Sequence, residues 1–227
     1  SPARRVRDNT TKHTLQNVEK VKEVVINVVN YDIVQQMSLS SSEYPEGVNE
    51  FEKAGFTMLS SDEVKPFRVA ESPVQFECKV SDIIYTGNSG GAGNLIVCEV
   101  VKIHINETIL DPDGMIDQHK IDLVARAGGN YYSRARDGFF EIPKPIFTLG
   151  IGIDQIPSAI KNSTVLTGNN LGMLGNITFL PTEEDVDNFA KEHPQLIGLE
   201  MVKKHTFAQE YLDNNDIESA WKVLLLK

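Results

Sequence analysis

The spacing of apolar residues changes several times along this chain, and each spacing predicts a type of element. Residues 15–22 have apolar positions at helical spacing and predict a short amphipathic helix, while the β-branched run EVVINVV at 23–29 predicts a buried strand. Residues 31–42 predict a helix that ends in a serine-rich loop. Helical spacing returns over 48–54, and Gly55 is expected to end that segment.

Two longer segments, residues 74–87 and 94–106, predict the main strands of the chain. Alternate residues from Val74 to Val80 are apolar, and the second segment has a similar alternation. The glycine-rich stretch NSGGAGN joins them and is expected to form a flexible hairpin connection. Together these features predict an antiparallel pair of strands with one buried face.

Shorter elements follow the strand pair. Residues 119–135 predict a short helix that breaks at Gly128 and Gly129, and then an aromatic strand. Residues 139–145 predict a last short strand. The chain then changes character from about Thr148.

Beyond residue 148 the pattern is mostly helical. Residues 166–176, LTGNNLGMLGN, are expected to form a glycine-rich loop, and Thr182 with Asp185 predicts a capping box at a helix start. A single final helix is predicted, with an apolar stripe that includes Phe207 and Trp221. We expect this stripe to pack against the β portion or against a second copy of the chain.

Composition limits the function classes. The chain has 227 residues, and its formal net charge of −10 argues against a general nucleic-acid binder, which needs an extended basic surface. It contains no apolar run long enough to cross a bilayer, so no membrane partner is expected. Cys78 and Cys98 are expected to be reduced thiols of a cytoplasmic protein, with a disulfide between paired strands as the alternative.

The first fourteen residues, SPARRVRDNTTKHT, form a local basic island on this acidic chain, and we call them the leader. Arginine forks, a lysine, hydroxyl groups and free main-chain N–H groups are the donors that a phosphate needs. A phosphate here would also meet the positive end of the helix that follows. The alternatives are a solvated tail, or a lead-in to the helix that neutralises nearby acidic residues.

Other candidate motifs carry less information. The glycine-rich hairpin is followed by a strand and not by a helix, so it is not a dinucleotide-binding fingerprint. In RAGGNYY, Gly129 allows a close approach and Tyr131 or Tyr132 could stack on a planar ring, while the alternative is a helix cap followed by a core tyrosine. The histidines and cysteines show no nucleophile or metal-ligand spacing, so neither a catalytic side chain nor a metal site is predicted.

The leader, YPEGVNEFEKAGF, VKPFRVAESPVQFECKV, GGAGNLIVCEVVKIHI and IDLVARAGGNYYSRA occur in an order that resembles the flavin reductase-like, FMN-binding split-barrel family. The resemblance implies a mainly β fold with peripheral helices, a Greek-key split barrel over residues 1–147 and a partly helical C-terminal extension over 148–227. In that family the leader-like segment follows the first barrel strands. The resemblance therefore implies that those strands are missing from this chain.

The resemblance also implies a function. It implies FMN as cofactor, NAD(P)H as co-substrate, hydride transfer from the nicotinamide to the flavin, and a homodimer. It implies that the leader binds the FMN phosphate, and Gly129 and Tyr131 complete the candidate cofactor site. The leader candidates are Ser1, Arg4, Arg5, Arg7, Asn9, Thr11, Lys12 and Thr14.

Two alternative functions stay open at this point. The first is a non-catalytic FMN-binding or electron-carrier protein with the same fold. The second is an interaction module that uses its basic N-terminus to bind nucleic acid or an acidic partner.

Overall fold

The computed structural model of the chain describes residues 2–142 and 149–227. The chain divides into two compact units, Ser1–Phe140 and Glu141–Lys227, which we call unit 1 and unit 2. The predicted domain boundary between residues 147 and 148 lies outside the described residues and stays a prediction. Across the two described ranges, no helix is long and apolar enough to cross a membrane.

Unit 1 combines short helices with seven strands in its described part. In chain order they are α1 (His13–Val21), β1 (Glu23–Asn27), α2 (Val34–Ser40), α3 (Glu50–Ala54), β2 (Met58–Leu59), β3 (Arg68–Val69), β4 (Val74–Tyr85), β5 (Asn94–Ile105), α4 (Gln118–Ile121), β6 (Val124–Arg126) and β7 (Tyr132–Arg134). Single 3₁₀ turns lie at Tyr31–Ile33, Glu107–Ile109 and Arg136–Gly138.

The main sheet has three antiparallel strands in the order β1-β4-β5. The predicted antiparallel pair of long strands is confirmed, with Val74 opposite Ile105 and Tyr85 opposite Asn94. Two register shifts interrupt that pair, one of them between Glu77 and Cys78. The remaining strands form two separate two-stranded ribbons, β2-β3 and β6-β7. Among the described strands, the sheet is open and the predicted Greek-key closure is not seen.

The prediction of a single buried face on this sheet is wrong for the first half of β4. Val74 and Cys78 are buried on the apolar face, but Gln75 and Glu77 of the opposite face are buried as well. The segment 60–72 covers that opposite face and supplies polar partners: Gln75 Nε2 donates to the carbonyl oxygens of Val69 and Ser72. Alternation along a strand shows which residues share a face, but not whether a loop covers the polar one.

Glu77 is the residue of this covered face that most needs polar partners, since it carries a carboxylate and its side chain is 0% exposed. Its carboxylate accepts main-chain N–H groups from Asp62 (2.9 Å), Glu63 (2.7 Å) and Val64 (3.2 Å), and it contacts His104 Nε2 at 2.6 Å. Burial by itself would raise the pKa of Glu77, but the N–H groups and His104 outweigh burial and lower the pKa to about 2.

Two predictions for the end of unit 1 need correction. The helix does not reach Gly128, because it ends at Ile121 and Asp122 has a left-handed φ of 50°. Residues 124–126 instead form a strand that pairs with β7. The last predicted strand is absent at 139–142, and its remaining residues, 143–145, lie outside the described part of the chain.

The two cysteines are free thiols, as expected for reduced cysteines. Cys78 is buried, and Cys98 is half-buried. Burial raises the pKa of both thiols, so both favour the protonated form.

The regular elements of unit 2, in its described part, are all helices or 3₁₀ turns. Its helices are α5 (Ser158–Lys161), α6 (Gly168–Gly175), α7 (Glu183–Glu192), α8 (Met201–Asp213) and α9 (Ile217–Leu225), with 3₁₀ turns at Ile153–Gln155 and Pro194–Leu196. Trp221 is fully buried in its core, and its indole Nε1 donates to the carbonyl oxygen of Leu174 at 3.0 Å. The apolar stripe therefore packs within unit 2, and its expected docking on the β portion or on a second copy is wrong for Trp221.

Helix capping explains which of the other predictions for unit 2 are confirmed and which are wrong. The stretch 166–176 is a helix and not a loop, because Thr167 and Asn170 form a reciprocal capping box at its start. The predicted capping box of Thr182 and Asp185 is confirmed. The single final helix is wrong, since the chain leaves the helix after α8 and Asn215 has a φ of 60° before α9 begins.

We predict that Glu77→Gln lowers the free energy of unfolding of unit 1 by about 3 kcal/mol at pH 7. The folded pKa of about 2 lies below the ordinary value of 4.5, so the unfolded chain binds the proton first. The stabilisation is therefore complete above pH ~4.5 and lost as the pH falls towards 2. Hydrogen exchange of the amides at 62–64 measures this loss of stability directly. Tryptophan fluorescence would not, because the single tryptophan, Trp221, lies in unit 2.

Glu63→Gln is the matched control, because the Glu63 side chain is exposed while its main-chain N–H binds Glu77. This variant should keep the exchange rates of the parent protein between pH 3 and pH 7. Unchanged exchange in Glu77→Gln would show that the buried carboxylate does not hold this segment.

Candidate functional site

The leader is anchored to the connection between β4 and β5, residues 86–93, which we call the glycine hairpin. The main-chain N–H of Arg4 donates to the carbonyl of Ala92 (2.9 Å), and the N–H of Gly91 donates to the carbonyl of Arg4 (3.0 Å). Asn9 Nδ2 donates to the carbonyl of Asn88 at 2.9 Å. The hairpin therefore acts as a support for the leader, a role that its glycine content alone did not predict.

Gly90 lets the two segments approach closely. A Cβ atom at this position would lie 3.1 Å from both Cα and the carbonyl oxygen of Val6, and 3.2 Å from the carbonyl oxygen of Arg5. These distances are shorter than ordinary carbon contacts, so a larger residue would push the leader away from the hairpin.

The leader also folds back on itself. The N–H of Arg5 donates to the carbonyl of Thr10 (2.8 Å), and the N–H of Asn9 donates to the carbonyl of Arg5 (2.9 Å). Asn9 has a left-handed φ of 58°, which asparagine tolerates better than most residues. The Arg4 guanidinium closes this loop by donating to Asn9 Oδ1 (2.8 Å) and to its carbonyl oxygen (2.6 Å).

The three arginines of the leader have different environments. Arg4 is occupied by Asn9, while Arg5 Nη1 donates to Thr10 Oγ1 (3.0 Å) and to the carbonyl of Thr11 (2.7 Å). Arg7 is 76% exposed at its side chain and pairs with Glu43 at 3.1 Å. Arg4 and Arg5 therefore shape the leader, and Arg7 is the arginine most open to an incoming anion.

The leader ends at the start of α1, where several donors lack protein partners. Lys12 is the N-cap residue, no side chain caps the helix, and the first turn contains no acidic residue. Lys12 and Thr14 are exposed, and within the described residues their side chains and the main-chain N–H groups of 12–14 bind no protein acceptor. A helix start of this kind favours an anion through its free N–H groups and its positive dipole end.

The three remaining leader candidates have different outcomes. Thr11 Oγ1 accepts a hydrogen bond from Gln16 Nε2 at 3.0 Å, so it lies beside the helix start. Asn9 is engaged by Arg4 and by the hairpin, so its role in the structure is to shape the loop. Ser1 lies outside the described residues, and its predicted role stays a prediction.

Gly129 and Tyr131 lie in the turn of the β6-β7 ribbon. Gly129 has a φ of 61°, and the N–H of Ala127 donates to the carbonyl of Tyr131 at 2.9 Å. The Tyr131 side chain is 78% exposed, so the alternative of a helix cap followed by a core tyrosine is wrong for this residue. Gly129 and Tyr132 line a cleft of about 450 Å³, whereas Tyr131 is not among its lining residues.

Residues that sequence reasoning missed form the wall of this cleft. The Arg134 guanidinium stacks 3.9 Å above the ring of Tyr31. It also donates to the Asp122 carboxylate at 2.5–3.1 Å, which lowers the pKa of Asp122 and raises the pKa of Arg134. Tyr31 lies far along the chain from Asp122 and Arg134, so no local motif indicated that it meets them.

The cleft and the leader are connected through one short stretch. Ser41 lines the cleft, and Glu43, two residues further on, pairs with both Arg5 and Arg7. Two residues of chain span at most about 7 Å. A lining residue of the cleft and an ion-pair partner of the leader therefore lie within two residues of each other in unit 1.

Asp62, Glu77 and His104 are the one group of potential metal ligands found within the described residues, with one ligand atom from each inside 4.8 Å. Their chemistry does not favour a cation. The Glu77 oxygens already accept N–H groups, and Arg68 Nε lies 3.6 Å from Glu77 Oε1. This group stabilises the loop over β4. That the chain has no metal site stays a prediction from the sequence.

Comparisons with known proteins identify the family and the fold. A family model described as a flavin reductase like domain matches residues 6–123, which is just over half of the chain. An uncharacterised protein of Aquifex aeolicus (strain VF5) is 38% identical over 128 residues, and the match covers 56% of this chain and 63% of that relative. The chain thus spans less than two thirds of the length of this curated relative.

Two solved structures share the fold. Nitrilotriacetate monooxygenase component B from Bacillus cereus has a TM-score of 0.55 at 21% identity, covering 63% of this chain and 68% of that chain. A Shewanella frigidimarina NCIMB 400 protein with a split barrel domain, described as a candidate flavin reductase, has a TM-score of 0.51 at 27% identity, with 58% and 65% covered. The fold class predicted from the sequence is confirmed to this extent: a split-barrel-like fold with helices, in which the described strands stay open.

We predict that Gly90→Ala detaches the leader from the glycine hairpin. The added methyl group displaces the main chain at Val6 and should cost about 1–2 kcal/mol locally, which corresponds to roughly 5- to 30-fold faster hydrogen exchange at the amides of Arg4 and Gly91. Gly87→Ala is the control in the same hairpin, because its Cβ would meet only the side chain of Ala92 at an ordinary 3.4 Å. Equal exchange rates in the two variants would contradict a supporting role for Gly90.

Proposed function

The chain belongs to the family of flavin reductase like domains, and on that premise we propose that it binds FMN and transfers hydride from NAD(P)H to it. The one observation that carries the proposal is the set of open donors at the junction of the leader and α1. Lys12 and Thr14 supply an ammonium and a hydroxyl group on residues whose main-chain N–H groups bind no acceptor among the described residues, and Arg7, earlier in the leader, adds an exposed guanidinium that pairs with Glu43. This set suits a phosphate ester, which accepts several charge-assisted hydrogen bonds.

The shape of the leader supports the same assignment. Arg4 and Arg5 are held by Asn9, Thr10 and the carbonyl of Thr11, so the loop is ordered before a ligand arrives. Preorganised donors bind an anion with a smaller entropy cost than mobile side chains do. Arg4 thus shapes the loop, while Arg5, whose Nε also faces the Glu43 carboxylate, is held where it can contribute to the phosphate site with Arg7 and Lys12.

The flavin ring system is proposed to occupy the cleft beside the leader. A volume of about 450 Å³ lies within the range of small-ligand sites. Gly129 adds no side chain to the cleft lining, and the stacked pair of Tyr31 and Arg134 gives that lining a flat, polarised surface. The cleft is the place where the residues of this chain would orient a planar ring.

The reaction makes small demands on side chains. Bound flavin supplies the hydride acceptor, and the protein contributes binding and orientation. This agrees with the absence of a predicted catalytic acid or base in the sequence. A homodimer in the cytoplasm remains part of the proposal, and so does the choice of FMN over other flavins.

The basic leader as an interaction module receives less support from the geometry. Arg4 and Arg5 bind groups of their own chain, and Arg7 pairs with Glu43. A nucleic-acid surface would need several free cations in an extended patch.

We predict that Arg7→Ala combined with Lys12→Ala weakens FMN binding far more than riboflavin binding, because only FMN has the phosphate. Two lost charge-assisted contacts should cost about 3 kcal/mol together, which is roughly 100-fold in the dissociation constant. Flavin fluorescence titration of both ligands measures the difference.

Lys20→Ala combined with Lys79→Ala is the matched control, because it removes the same charge from exposed residues of α1 and β4. This control should leave the ratio of FMN to riboflavin affinity unchanged. Equal losses for FMN and riboflavin in the leader variant would remove these residues from the phosphate site.

Turnover distinguishes the reductase from the electron carrier. With added FMN and excess NADH or NADPH, we predict steady-state nicotinamide oxidation above the rate of free FMN, and a strong loss of this excess rate in the Arg7→Ala, Lys12→Ala variant at low FMN. Tight FMN binding without any turnover above the free-flavin rate would support the electron carrier and contradict the reductase.

A further inference from the structure

We propose that Glu43 occupies the arginines of the phosphate site while no ligand is bound, and that an incoming phosphate displaces it. The Glu43 carboxylate would then set how tightly the protein holds a phosphate-bearing ligand. This inference rests on the proposed function, which places the phosphate at the leader.

The geometry of Glu43 is that of a bridging anion. Its Oε1 lies 3.5 Å from Arg5 Nε, and its Oε2 lies 3.1 Å from Arg7 Nη2. Each carboxylate oxygen therefore serves a different guanidinium group. A phosphate would present two of its oxygens to the same two groups, so the carboxylate and the phosphate compete for one set of donors.

The exposures of the three side chains indicate which partner moves. The Arg5 side chain is 15% exposed, and Thr10 and Thr11 hold it in place. The Glu43 and Arg7 side chains are 50% and 76% exposed. Half-exposed ion pairs contribute little to stability, so Glu43 can turn into water at a small cost. The contact thus allows an exchange of anions and does not block the site.

The position of Glu43 in the chain allows this exchange without unfolding the leader. Glu43 lies in the loop after α2, while the leader is anchored by the glycine hairpin and by its own turns. Displacing the carboxylate leaves those anchors in place. Because Ser41 lines the cleft, a ligand that fills both parts of the site passes next to this loop.

The consequence is a lower affinity and a faster release than the two arginines would give alone. A ligand must replace a bound carboxylate, and the carboxylate can return to the arginines as the ligand leaves. Such an exchange suits a phosphate-bearing ligand that binds and leaves in each turnover better than a ligand that stays bound permanently.

The test is Glu43→Gln, which keeps the size of the side chain and removes its charge. We expect FMN to bind about 2- to 5-fold more tightly, which matches the strength of exposed ion pairs, and riboflavin to bind as before. Glu46→Gln is the matched control, since Glu46 is exposed in the same loop and the described structure gives it no ion pair. This control should leave both affinities unchanged.

A second background separates local exchange from a general charge effect. In the Arg7→Ala background, Glu43→Gln should have a smaller effect, because the shorter of the two Glu43 contacts is already broken and only the contact with Arg5 remains. The proposal is overturned if Glu43→Gln binds FMN as the parent does, if Glu46→Gln gives an equal gain, or if the gain is undiminished without Arg7.

Inorganic phosphate keeps the test independent of the flavin ring. We expect phosphate to raise the Tm of Glu43→Gln more than the Tm of the parent protein. If the parent protein binds FMN and riboflavin equally, the proposed phosphate site for FMN fails, and the phosphate titration still decides the role of Glu43. A phosphate-induced Tm shift that is equal in both proteins would overturn the exchange.

Discussion

The candidate site depends on the contact between the leader and the glycine hairpin. Main-chain hydrogen bonds join Arg4 to Ala92 and Gly91, and Gly90 allows the Val6 main chain to lie directly against the turn. Without this contact the leader would be a mobile basic tail. With it, the arginines are fixed in position, and the free N–H groups at the start of α1 lie at the end of an ordered loop.

The buried charge of Glu77 stabilises the part of unit 1 from which the glycine hairpin extends. The hairpin joins β4 to β5, and the Glu77 carboxylate of β4 binds main-chain N–H groups of the covering segment and His104 of β5. A buried carboxylate with these donors tolerates little displacement, since the loss of any partner leaves a charge without compensation. The Glu43 ion pair is easy to exchange because Glu43 and Arg7 are exposed, so water solvates their charges when the pair separates.

Much of the architecture could be predicted from local pattern. The long strand pair, the helix after the leader and the capping box at Thr182 follow from periodicity and capping chemistry, which act over a few residues. The errors have local causes as well: Asp122 and Asn215 adopt left-handed conformations that end helices without a glycine. The Thr167 box made a helix from a stretch whose glycines suggested a loop.

The site itself was only partly accessible from the sequence. The leader could be identified because its cations and hydroxyl groups are contiguous. The stacking of Arg134 on Tyr31 and the pairing of Glu43 with the leader join residues that are far apart in the chain, and one sequence contains no signal for such meetings.

The central claim is that a phosphate ester binds where the leader meets α1. Amide chemical shifts of the isotope-labelled full chain, recorded during titration with FMN and then with riboflavin, test it most directly. The account predicts large shifts at the amides of Lys12, His13 and Thr14 with FMN and small ones with riboflavin. Shifts at these amides that are absent with FMN, or equal for the two ligands, would contradict it.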